Sequence, residues 1–103
     1  MIIARWKIDA RFGHKSDVLE SMNWWKNEIG QEIGWDPERT RTMTGSIGAN
    51  ESCVVTEVEL ESISALDESW NKLRTLDKHR KWGKEIEPHI VSGSHRWEVY
   101  RVE

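Results

Sequence analysis

Four histidines carry the chemistry this chain can do near neutral pH, because imidazole is the usual proton donor, acceptor and metal ligand in that range. His14 falls in a short connection, His79 on a helical stripe, His89 directly after Pro88 and His95 at the start of the last alternating segment. No two are spaced i,i+4, and the ten-residue and six-residue gaps along the C-terminal half match no zinc signature, so no metal site is expected. His79 and His14 are the better acid/base candidates, because a helix-end and a loop position can both reach a cavity.

A second constellation begins at Arg5, Lys7 and Asp9, which alternate along one side of a strand and are joined by Arg39 or Arg41 and by Glu57 or Glu59. Such a charged face either holds a polar or anionic ligand by charge-assisted hydrogen bonds or pairs internally across strands and subunits. Arg5 is the candidate catalytic residue of this group, with Lys7 and Arg41 as binding residues. Seven tryptophans form the third feature. Trp6, Trp70 and Trp82 fit core positions. Trp24 and Trp25 diverge by about 100° on a helix, so one of them belongs to an interface or a pocket mouth. Trp35, Trp97 and Tyr100 are candidates for lining a binding pocket.

These residues must be positioned by six elements. Met1 to Ala10 alternates with period two, placing Ile2, Ala4, Trp6, Ile8 and Ala10 on a core face and Ile3, Arg5, Lys7 and Asp9 opposite. Ser16 or Asp17 then caps a helix whose stripe is Val18, Met22, Trp25, Ile29 and Ile33, with Gly30 and Gly34 as possible stops. A Thr-rich strand from about Arg39, a turn at Gly48-Ala49-Asn50 and a strong strand from Ser52 to Leu60 make a hairpin. The segment Ser64-Ala65-Leu66-Asp67 caps a second helical pattern through Trp70, Leu73 and Leu76 toward Trp82 and Ile86, either continuous or broken near Gly83 or Asp77-Lys78. Pro88 ends it, Ser92-Gly93-Ser94 is a tight linker, and His95 to Val102 alternates as the closing strand.

The order βαββαβ predicts an α+β, ferredoxin-like domain, with a four-stranded antiparallel sheet covered on one face by two helices. At 103 residues the chain is expected to be one domain. The uncovered face would carry Ile3, Cys53, Val55 and Trp97 or Tyr100 beside its charges, and such a mixed surface is best satisfied by an identical sheet, giving a homodimer. Cys53, the single cysteine, reads as a small buried hydrophobe. A net charge of −3 disfavours nucleic acid, apolar runs of four residues or fewer exclude a membrane span, and no signal-peptide pattern opens the chain, so a cytoplasmic location is expected. There is no GxSxG, Walker, Rossmann or CxxC motif.

The strand-helix-hairpin opening, the run Val54 to Ser62 and the segment Ser69 to Trp82 resemble the dimeric α/β-barrel superfamily, nearest to NIPSNAP-like, stress-responsive-barrel and antibiotic biosynthesis monooxygenase-like small proteins. The resemblance implies a homodimer with a barrel-like interior. It also implies a small organic ligand between sheet and helices, handled without a cofactor as by an oxygenase, isomerase or lyase. A non-enzymatic dimeric module is the alternative. Haem binding, with His79 as axial ligand, is a second alternative, disfavoured because Arg5 and Lys7 stand where haem-degrading relatives usually carry Asn.

Overall fold

The computed structural model describes all residues, Met1–Glu103. Strand β1 (Ile2–Asp9) is central, and its strict alternation of buried and half-buried residues is that of a strand with one covered face. Helix α1 (Lys15–Trp25), strands β2 (Thr40–Thr44) and β3 (Cys53–Leu60), helices α2 (Ile63–Arg74) and α3 (Asp77–Ile86), and strand β4 (Arg96–Arg101) follow. The sheet order is β2-β3-β1-β4 with every pair antiparallel. This is the expected ferredoxin-like arrangement, except that the second helix is two helices.

The break falls at Thr75–Leu76, ahead of both positions the sequence suggested. The Thr75 hydroxyl donates to the Lys72 carbonyl at 2.7 Å, and Leu76 turns extended (φ −92°, ψ 110°) before α3 begins. Gly83 therefore lies inside α3. Both helices also start nearer the N-terminus than the sequence suggested. The Ser62 hydroxyl accepts from Ala65 N–H at 3.2 Å and caps α2 ahead of Ser64. Helix α1 starts at Lys15 with no side-chain cap, because the Asp17 carboxylate is engaged by the His14 ring at 3.1 Å. Past Trp25 the helix widens into a π turn (Lys26–Gly30), and a turn closed by Trp35 N–H donating to Gly30 C=O at 2.9 Å brings Trp35 back into the core.

The helix-covered face of the sheet is built from Ile2, Ala4, Trp6 and Ile8 of β1 with Val54, Val58 and Leu60 of β3. Onto it pack the expected α1 stripe, from Val18 to Ile33, together with Leu66, Trp82 and Ile86. The register Trp6↔Trp97 puts Trp97 on this covered face, since paired residues in neighbouring strands point the same way. Of the two aromatics proposed for the open face, only Tyr100 is there, paired with Ile3. No helix is long and apolar enough to cross a membrane.

Candidate functional site

Packing sorts the four histidines into two pairs that chain spacing does not show. His79 and His95 meet at a cavity of about 260 Å³ on the covered side of the sheet. Its floor is Trp6 and Ile8 of β1, and Ile90 closes one side. His79, Trp82, Gly83 and Ile86 supply the α3 wall, one helical face at intervals of three, one and three residues. His95 reaches it because it lies two residues before Trp97, on the same face of the chain.

His79 is half-buried, and its environment fixes both its charge and its tautomer. Trp25 Nε1–H donates to His79 Nδ1 at 3.0 Å; an indole nitrogen has no lone pair to offer, so Nδ1 must be the acceptor and the neutral ring carries its proton on Nε2. The ring is stacked on Trp82, with centroids 5.8 Å apart and planes at 18°. Burial lowers the His79 pKa below the ordinary 6.5, and the neighbouring charge of His95 lowers it further. His95, exposed at the cavity mouth with its ring 5.5 Å from that of Trp6, is lowered by the part of its surface that is covered. The cavity thus presents two imidazoles that favour the neutral form among indole rings.

The other expected site residues lie elsewhere. On the open face, Arg5 Nε donates to Glu57 Oε1 at 2.7 Å and Arg41 Nε to Glu57 Oε2 at 2.6 Å. Glu57 is only 2% exposed. Burial alone pushes its pKa up, but the hydrogen bonds from Arg5 and Arg41 prevail and hold it below the usual carboxylate value. Lys7 pairs with Glu98 at 2.8 Å, and Arg5 lies over the Tyr100 ring at 4.9 Å. These charges serve one another across the strands. Lys7 and Arg96 also border a groove of about 520 Å³ beside Asn50 and Cys53, whose thiol is buried and raised in pKa chiefly by that burial. Trp35 and Trp97 line none of these cavities. Trp35 is buried against Trp25 and Trp97, while Trp97 stacks on Trp6 with planes at 2°.

His14, the other acid/base candidate, is joined by His89 and Asp17 rather than by His79. They are the one group of three or more His, Cys, Asp or Glu side chains close enough to share an ion. His95, Gly83 and the His89 partnership escaped the sequence reading. The first two had a signal in the His79–Trp82–Gly83–Ile86 face and the His95–Trp97 alternation. The third had none, because it depends on the bridge between Ala10 and Ile90.

No protein-family sequence model and no curated protein sequence matches the chain. Solved structures do. A NIPSNAP domain protein from Burkholderia xenovorans superposes with a TM-score of 0.73 at 12% identity, covering 100% of this chain and 95% of that one. A NIPSNAP family protein from Agrobacterium tumefaciens gives 0.72 at 17% identity, covering 99% and 92%. A putative antibiotic biosynthesis monooxygenase from Nitrosomonas europaea gives 0.70 at 8% identity, covering 99% and 98%. The fold is the NIPSNAP and monooxygenase-like one. The resemblance read from the sequence thus holds at the level of the fold.

The lowered pKa of His79 makes stability depend on pH with a definite sign. Between its folded pKa and 6.5 the unfolded chain binds more protons than the folded one, so stability rises with pH there. The contribution is fully present above about pH 6.5 and is lost as the pH falls below it. Urea unfolding from pH 7.5 down to 5 should show a falling midpoint, and His79→Gln should flatten that slope relative to the parent protein.

Proposed function

We propose that the protein is a homodimeric small-molecule-binding α/β-barrel protein whose ligand, a compact and largely apolar molecule with a polar edge, enters the Trp6–His79–His95 cavity. Gly83 is the observation that carries this reading. A glycine inside a helix weakens it by about 1 kcal/mol relative to alanine and is usually kept for close packing or an unusual backbone. At Gly83 neither applies: an added Cβ would meet no atom within 4 Å, and the backbone is helical. What the missing side chain leaves open is the cavity.

The polar groups suit proton transfer. His79 Nε2–H is a donor for a ligand carbonyl or oxyanion, and a neutral His95 at the mouth can take a proton from an acidic carbon or hydroxyl. Such a step begins cofactor-independent oxygenation, isomerisation or elimination alike, and one of the similar structures is described as a putative monooxygenase. Trp6 also has a buried indole N–H without a partner in the protein. The volume argues against haem, since about 260 Å³ lies below the range of roughly 300–1,000 Å³ typical of drug-sized ligand pockets.

The dimer rests on the open face. Ile3, Met43 and Val55 are half-buried there and Tyr100 is 47% exposed, while Arg5, Lys7, Arg41, Glu57 and Glu98 are already paired within the sheet, leaving Glu59 beside Ile3 as a charge without an ion pair. A surface most of whose charges are already paired can meet its own copy with few stranded ions, and the apolar remainder gives a reason to do so. Light scattering should give about twice the 12.1 kDa chain mass, and Val55→Arg should give the single mass with secondary structure retained. A monomeric parent protein would remove the barrel.

For the cavity, 2-naphthol is a suitable probe because it combines an aromatic body with one hydroxyl. Titration followed by NMR should shift the Trp6, His79 and Trp82 side-chain signals saturably. Gly83→Leu should fold at least as stably as the parent, because the position is a helix interior with room, yet weaken the probe by about tenfold or more. Equal binding in Gly83→Leu would contradict the cavity assignment.

A further inference from the structure

The second histidine pair forms a different kind of site. His14 stands at the start of α1, Asp17 in its first turn, and His89 in the single 3₁₀ turn (Glu87–His89) after α3. Contacts to the backbone hold the two segments together: Arg11 N–H donates to His89 C=O at 2.9 Å, the Arg11 side chain donates through Nε to Ile90 C=O at 3.0 Å, and Ala10 bridges Ile90. The three side chains are therefore carried on fixed backbone, although they lie 75 residues apart in the chain at the extremes.

Their polar atoms converge on one point. His14 Nδ1 and His89 Nδ1 are 3.0 Å apart, His14 Nδ1 and Asp17 Oδ2 3.1 Å, and His89 Nδ1 and Asp17 Oδ2 3.6 Å. With metal–ligand bonds of about 2.0–2.1 Å, donor atoms around a tetrahedral zinc are separated by about 3.3–3.4 Å, which falls inside this observed spread. Protons alone satisfy the trio poorly. A proton on His14 Nδ1 can point at Asp17 or at His89, and a proton on His89 Nδ1 leaves the His14 lone pair facing the carboxylate. The two rings are tilted at 46° with centroids 5.0 Å apart, so they converge at their nitrogens rather than stacking face to face.

We propose that His14, Asp17 and His89 form a binding site for a borderline divalent transition-metal ion of the zinc class. Two imidazoles and a carboxylate suit Zn²⁺ or Co²⁺, whereas Mg²⁺ and Ca²⁺ prefer an all-oxygen set. Three protein ligands leave at least one position open, and the site opens onto a second cavity of about 340 Å³. Asp17 and His89 are part of its lining, with Glu20, Trp24 and Glu85 around them. Water would complete the coordination there, since the carboxylates of Glu20 and Glu85 disfavour an anionic ligand. Trp82 borders both this cavity and the one containing His79, so the two sites share a wall.

The test uses the whole protein, stripped with chelator and titrated with Zn²⁺ by calorimetry at pH 7.5, with Co²⁺ as a spectroscopic probe. One equivalent should bind saturably, and Co²⁺ should develop visible d–d absorption of a low-coordinate N/O site. Loss of an outer-shell partner alone weakens metal sites by about 10–100-fold, so His14→Gln and His89→Gln should each weaken binding by at least that much, and Asp17→Asn by at least about tenfold. The three side chains are partly or largely exposed, so the variants should fold. The His79→Gln/His95→Gln double variant should bind as the parent does. Absence of saturable Zn²⁺ binding below millimolar concentration, or binding unchanged in His14→Gln/His89→Gln, would overturn the proposal.

Discussion

Trp6 is the side chain on which both the core and the cavity depend. It projects from the central strand, stacks on Trp97 of the neighbouring strand, and meets Trp25 edge-on at 5.0 Å and Trp82 at 5.5 Å. Burying an indole removes about 150–250 Å² from water, worth roughly 4–6 kcal/mol at 25 cal/mol per Å², and aromatic pairing adds to that. The ring also desolvates the histidines. His79 has its pKa lowered because Trp6, Trp25 and Trp82 surround it where water would otherwise be. The packing that holds α3 on the sheet is thus the same packing that holds an imidazole neutral at a cavity.

The other face of β1 is governed by the opposite constraint. Glu57 is buried and ionised, which is tolerable only because two guanidinium groups each meet one of its oxygens. That arrangement uses up Arg5 and Arg41, so the cationic side chains that look ready for a ligand in the sequence are already engaged. Charge on this face is taken up by pairing within the sheet, and the cavity with two histidines lies on the side where the sequence shows mostly apolar residues.

Much of the fold was legible because period two and period 3.6 are local signals. The alternation in β1 and β3 and the Val18–Ile33 stripe read directly onto the structure. Helix boundaries were less legible, since capping depends on which backbone group a hydroxyl or carboxylate reaches: Ser62 rather than Ser64 found an N–H, and Asp17 turned to His14. The site was half legible. His79 could be singled out by type and position, but its pairing with His95 requires the Trp6↔Trp97 register, and that of His14 with His89 requires the end of β1 to meet the turn after α3. Trp35 and Trp97 looked like pocket residues, yet Trp35 is buried in the core and the half-buried Trp97 packs against it, because an aromatic's periodicity does not say which element packs over it.

The central claim is that this aromatic enclosure holds His79 neutral with its proton on Nε2, ready to donate to a ligand. Nitrogen-15 NMR of the imidazole rings at pH 7 measures that state directly. The account predicts an unprotonated Nδ1 and a protonated Nε2 for His79, with titration displaced below 6.5. A doubly protonated ring at pH 7, or a proton found on Nδ1, would contradict it.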